Sequence, residues 1–123
     1  MSIVEEHLNQ GTGPRIALPC LEGYEVIAIQ DIVCCVAEGS YTRIQLADRQ
    51  GDHLVSKNIK QYEELLEEYQ FRRIHRSYLV NPSHVTRIIR GKTPALVLSN
   101  GVTLNVSRRR RAILDTFAVR TEQ

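Results

Sequence analysis

The sequence predicts a mainly β chain of small antiparallel sheets, with one amphipathic helix near 58–69 and a short C-terminal helix near 108–117. Three observations carry this. Short β-branched runs recur between Gly, Asn and Asp turn signals, the spacing of an antiparallel sheet. A single internal stretch changes to helical periodicity. A second helical stripe follows Ser107 at the end of the chain.

The elements follow in order. Residues 1–14 are polar, end in "GTGP", and read as an N-terminal tail or linker; residues 15–117 form one domain, and 118–123 a C-terminal tail. From Arg15 to Ser56, apolar runs are separated by Glu22-Gly23, Gln30-Asp31, Glu38-Gly39-Ser40 and the turn signals from Asp48 to Asp52. In "YTRIQL", Ile44 and Leu46 alternate with Arg43 and Gln45, which marks a half-buried strand. In "NIKQYEELLEEYQ", Ile59, Tyr62, Leu65, Leu66 and Tyr69 share one helical face, four glutamates supply the wet face, and Asn58 with Gln61 resembles a capping box. Strands resume around Ile74, Tyr78 to Val80, Val85 to Ile89, Ala95 to Leu98 and Val102 to Val106. Ser99-Asn100-Gly101 is a hairpin turn, because Asn-Gly readily takes positive φ. In the closing helix Ile113, Leu114 and Phe117 share a face, and Ser107 is the expected N-cap.

Composition limits the function. At 123 residues, 42% of them hydrophobic, the chain suits one soluble domain. No run approaches the roughly 18 apolar residues of a membrane span, and the N-terminus lacks signal-peptide character, so a cytoplasmic protein without membrane contact is expected. Cys20, Cys34 and Cys35 form no C-x-x-C pair, and adjacent Cys34 and Cys35 point to opposite faces of a strand, so neither a disulfide framework nor a metal site is expected. His75 and His84 lack a metal-ligand spacing, and Ser77 lies in no nucleophile elbow, so the chain reads as no enzyme and needs no cofactor.

The charge is divided along the chain. Arg72 to Leu114 holds ten basic residues and no acid, while residues 1–71 hold five basic against twelve acidic, within a net charge of +2. A block this one-sided repels itself and calls for an anionic partner. Arg108 to Arg111 occupy the first turn of the final helix, where exposed N–H groups disfavour each cation by roughly 0.3–1 kcal/mol. A phosphate placed there reverses the sign. Arg76, near a turn after an inward Ile74 and an outward His75, has the guanidinium needed to bond O6 and N7 of guanine.

"FRRIHRSYLVNPSHVTRI", followed after a hairpin by "GVTLNVSRRRRAIL", resembles the LytTR (LytR/AgrA-like) DNA-binding domain, in which F-x-R-x-H-R-S-x-L-V-N is followed by a strand pair and V-S-R-R. The E-G-x-Y turn and "LVSKNIKQYEELL" extend the resemblance to roughly residues 15–117, and Asn105 and Pro82 depart from the residue types expected. The resemblance implies a β-sandwich that binds promoter DNA through loops reaching successive major grooves and bends it. The loops implied are Glu38 to Tyr41, His75-Arg76-Ser77 and Ser107-Arg108-Arg109.

Base contact is expected from Arg76, Arg109, His75 and Tyr41, and phosphate contact from Ser107, Arg108, Arg110, Arg111, Lys57, Lys60, Ser40 and Ser77. The implied partners are double-stranded promoter DNA, with direct repeats, a receiver domain or histidine-kinase-linked partner, and a second copy as a homodimer on DNA. Members often carry a receiver domain, so the chain is expected to be a stand-alone regulator or the C-terminal part of a longer one. The rival reading is a protein-interaction module whose basic face docks an acidic partner domain. RNA binding fits less well, since two Phe and no Trp leave few aromatics for stacking.

Overall fold

The computed structural model describes residues 13–47 and 51–117; residues 1–12 of the expected 1–14 tail, residues 48–50 of the expected 48–52 turn and the expected tail at 118–123 lie outside them. A hairpin of β1 (Arg15–Cys20) and β2 (Gly23–Ala28) comes first. Next come β3 (Ile32–Glu38), β4 (Tyr41–Leu46), β5 (His53–Val55), helix α1 (Ile59–Leu65), β6 (Arg72–His75) and β7 (Tyr78–Val80). The last strands are β8 (Val85–Ile89), β9 (Ala95–Leu98) and β10 (Thr103–Asn105), ahead of a 3-10 segment over Arg108–Thr116. The central sheet has the order β5-β4-β3-β7-β6, and a second sheet has the order β10-β9-β8. All the strand pairs are antiparallel, as the sequence predicts.

The sandwich follows from one strand. Ile32, Val33, Cys34 and Cys35 are all fully buried, so β3 must be covered on both faces. Its register against β4 shifts between Ile32 and Cys34, which pair with Leu46 and Gln45 and leave Val33 as an extra residue. This bulge interrupts strict alternation. Ile32 and Cys35 join a core with Leu18, Ile44, Leu79, the helix residues Ile59 and Tyr62, and Leu66 at the end of that helix. Val33 and Cys34 join the other core with Ile74, Val80, Leu96, Leu104 and Leu114. Each fully buried aliphatic side chain contributes about 1.5–3 kcal/mol.

The expected helix near 58–69 divides into α1 and a 3-10 turn over Glu67–Tyr69. Its capping box is complete: the Gln61 N–H donates to the Asn58 side chain (3.0 Å) and the Asn58 N–H to the Gln61 side chain (3.1 Å). Gln70 then leaves the helix with φ 74°. The Ser99–Gly101 turn forms where expected, but only Gly101 takes positive φ. The Asn100 side chain instead accepts from the Val102 N–H (3.1 Å) and donates to Gln45 (3.0 Å).

Pro82 opens a 3-10 turn (Pro82–His84), a position where its missing N–H costs nothing. Asn81 caps that turn and is buried. Its amide donates to the Ile32 carbonyl (2.9 Å), and its side-chain oxygen accepts from the Ser83 N–H (3.1 Å). Asn81→Ala leaves both partners orphaned and should cost about 2 kcal/mol, read as a lower urea midpoint. An unchanged midpoint would contradict this role.

Burial pushes the Cys34 thiol up to about 12 from an ordinary 9.0, and pushes that of Cys35 higher still. Above pH 9.0 the unfolded chain releases these protons and the folded chain retains them, so stability should fall between pH 9.0 and about 12. A variant with both cysteines changed to Ala should show a flatter decline over that range; an equally steep one would rule the thiols out as its cause.

Candidate nucleic-acid interface

The strand directions gather the three expected loops at one end. β3 runs out at Glu38 and β4 starts at Tyr41, while β6 ends at His75 and β7 starts at Tyr78 opposite Val36. The β3–β4 and β6–β7 turns therefore emerge together, tied by the Ala37 N–H donating to the Ser77 carbonyl (2.9 Å). On the outer edge of β6, the Ser107 N–H donates to the Ile74 carbonyl (2.9 Å) and brings 107–109 alongside. His75, Arg76, Ser107, Arg109 and Arg110 line one open cleft.

The first turn displays Ser40 and Tyr41, both exposed. Glu38 would place a negative charge on this face, but Arg43 grips its carboxylate through two bonds (2.6 and 2.9 Å). Those hydrogen bonds hold the Glu38 carboxyl below the usual carboxylate range. Gly39 makes the turn at φ 64°.

The second turn is fastened by a residue that the sequence reading passed over. Arg73 donates from Nε to the His75 carbonyl (3.0 Å), from Nη2 to the Arg76 carbonyl, and from Nη1 to Glu63 of α1. Its side chain is only 14% exposed. Arg73 pairs with Leu79 and His75 with Tyr78, so β6 is bulged at Ile74 and simple alternation does not show where the Arg73 side chain goes. The His75 ring stacks on Tyr78 with centroids 4.7 Å apart, and its Nδ1 accepts from the Ser77 N–H (3.0 Å). In the neutral ring Nε2 therefore carries the hydrogen and is the available donor. Arg76 is exposed and, among the described residues, forms no ion pair.

The C-terminal segment corrects the expected helix. It is 3-10 over Arg108–Thr116 and kinks at Arg110 (φ −108°, ψ 15°), and the Ser107 side chain makes no capping bond. The Ser107 carbonyl accepts from the Arg110 N–H instead (3.0 Å). The kink interrupts the aligned peptide dipoles, which weakens the end-charge penalty read from the sequence. The four arginines separate in role. Arg110 donates to the Arg73 carbonyl (3.2 Å) and Arg111 to the Gly91 carbonyl (2.8 Å), which fastens the segment, while Arg108 and Arg109 are exposed.

The two lysines differ. The Thr42 hydroxyl donates to the Lys57 carbonyl (2.7 Å), which sets Lys57 at the loop end beside β4. Lys57 lines a cleft with Gln61, Glu64 and Leu65, whereas Lys60 lines one with Glu63, Glu64 and Glu67 whose opposite wall includes Arg72, Arg73 and Arg110; neither lysine lines the cleft of Arg76 and Arg109. Among the described residues no cluster of His, Cys, Asp or Glu could hold a metal, and no helix is long and apolar enough to cross a membrane.

The LytTr DNA-binding domain model matches residues 22–117. The chain belongs to this family. A solved LytTr DNA-binding domain, from a methyl-accepting/DNA response regulator of Bacillus cereus, is similar in fold, with a TM-score of 0.68 at 23% identity. The match covers 84% of this chain and 94% of that one. No curated protein matches the chain. Family membership and the mainly β fold thus agree with the resemblance read from "FRRIHRSYLVN" and "VSRRRR".

Arg73→Lys keeps the charge but removes the fork that holds the β6–β7 turn. Amide exchange at Ser77 should rise about tenfold and the thermal midpoint fall by several degrees. Unaltered exchange would show that Arg73 does not order the turn.

Proposed function

We propose that this LytTr domain is the sequence-reading part of a bacterial transcription regulator, which acts in the cytoplasm on double-stranded promoter DNA. The observation that carries this reading is the cleft joining Arg76 and Arg109 at the loop end, in a block of chain without an acid from Arg72 to Leu114. Two exposed guanidinium forks held by fastened backbone suit guanine O6 and N7. His75 adds a donor at Nε2. Arg108, Ser107, Ser77, Ser40 and Lys57 hold phosphates, joined by the outward N–H groups of Arg110 and Arg111. Lys60, in a cleft where Glu63, Glu64 and Glu67 face Arg72, Arg73 and Arg110, adds long-range attraction only.

The β3–β4 turn lies two strand spacings from the β6–β7 turn, roughly 10 Å. On a straight duplex that places Ser40 and Tyr41 at the flank of the groove that Arg76 enters, since a major groove is about 12 Å wide. Tyr41 reaches bases of the next major groove when the duplex bends toward the protein, so bendability of the site adds to specificity. Two copies on direct repeats, with a receiver domain or histidine-kinase-linked partner supplying the signal, complete the regulator.

The test is selection of bound sequences from a pool of random duplexes, followed by anisotropy titrations on the enriched site. With about six phosphates neutralised, log K should fall with log salt at a slope near −5. Arg76→Ala and Arg109→Ala should each lose about 1–3 kcal/mol of discrimination between the site and a scrambled duplex, whereas Arg108→Ala should weaken both alike. Equal losses on the two duplexes for Arg76→Ala would remove it from base readout. Absence of duplex binding would favour the acidic-partner module.

A further inference from the structure

The turn between β8 and β9 carries cations that the three loops do not use. Arg90 and Lys92 are exposed on it, and with Gly91, Pro94, Arg111 and Leu114 they line an open cleft. Its position is fixed by consecutive backbone bonds. The Val106 N–H donates to the Pro94 carbonyl (2.9 Å), and the next N–H, that of Ser107, donates to Ile74 of β6 (2.9 Å). The β8–β9 turn therefore flanks the arginine segment on the side away from β6. Along one end of the fold the basic groups then run from Lys57 past Arg76 and Arg108-Arg109 to Arg111, Arg90 and Lys92.

The cleft is set up for an anion. Arg111 is fastened by its bond to the Gly91 carbonyl (2.8 Å), and Arg90 by its ion pair with Asp115. Among the described residues each guanidinium makes one such bond and keeps further N–H groups oriented before a ligand arrives, which lowers the ordering cost of binding. Among the described residues the cleft is lined by three cations and no carboxylate, and Asp115 pairs with Arg90 beside it. Forked guanidinium donors beside a lysine ammonium match the oxygens of a phosphodiester. Base edges fit less well, because both guanidinium groups are already held by protein acceptors.

We infer that the β8–β9 turn, with Arg111, is a fourth DNA-contact element that clamps a backbone phosphate beyond the segment read by Arg76 and Arg109. The inference rests on the DNA-binding reading above. It extends the footprint without adding sequence information, and Asp115 competes with the phosphate for Arg90.

The test uses the full chain and a fluorescein-labelled 40-base-pair duplex of mixed sequence, titrated by anisotropy between about 50 and 200 mM salt, the range over which phosphate contacts dominate the salt response. Each lost phosphate contact makes the slope of log K against log salt shallower by about 0.9. Lys92→Ala should therefore reduce the slope by up to that amount, and the Arg90→Ala/Lys92→Ala pair should reduce it further. Asp115→Asn should tighten binding by releasing Arg90, and Lys92→Arg, which keeps the charge, should behave as the parent chain. A double variant that binds with the parent slope would overturn the fourth element and leave the DNA-binding reading standing. Weaker binding at an unchanged slope would also overturn it, since that marks a packing defect. If the parent chain binds no duplex, the DNA-binding reading falls and this element falls with it.

Discussion

The structure depends on the burial of β3 from both sides. Four consecutive side chains, Ile32 to Cys35, are withdrawn from water, and the bulge at Val33 assigns two of them to each core. One face is covered by β1, β2 and α1, the other by β8 to β10 and the 3-10 segment. With both faces taken, the chain has free surface at the strand ends, and there the β3–β4 and β6–β7 turns emerge side by side. A surface loop positioned by a buried scaffold is the usual arrangement for binding.

The same economy governs the arginines. Arg73, Arg110 and Arg111 donate to backbone carbonyls and fasten the turns that carry Arg76, Arg108 and Arg109. Free forks on fastened backbone lose less entropy on meeting a duplex than forks on a mobile loop. Glu38, the acid of the β3–β4 turn, is held by Arg43, which offsets its charge on this face. One residue type thus does two jobs, and geometry rather than identity separates them.

Much of this was legible in the sequence. The Asn58 capping box, the Ser99–Gly101 turn, the opposed cysteines and the inward Ile74 all follow from local rules, and each is present. The 3-10 form of 108–116 was not legible, because apolar residues at 113, 114 and 117 fit a three-residue turn as well as a 3.6-residue one. Ser107 looked like a side-chain cap, yet the tight turn is closed by its carbonyl. The Arg73 role was hidden because Arg72, Arg73 and Arg76 look alike in one dimension. Only the packing of α1, which brings Glu63 to β6, distinguishes them. The setting of Lys60 was hidden likewise: its carboxylate neighbours are on its own helix and the 3-10 turn after it, but the wall opposite comes from β6 and the 3-10 segment.

On the proposed reading, DNA meets one end of the fold. The most direct test is an amide chemical-shift titration of isotope-labelled protein with a duplex carrying the selected site. Perturbations are expected to concentrate at 38–41, 57, 75–77, 90–92 and 107–111, with α1 beyond its first turn and the β1–β2 hairpin unaffected. Perturbations centred on the hairpin or on the glutamates of α1 would contradict it.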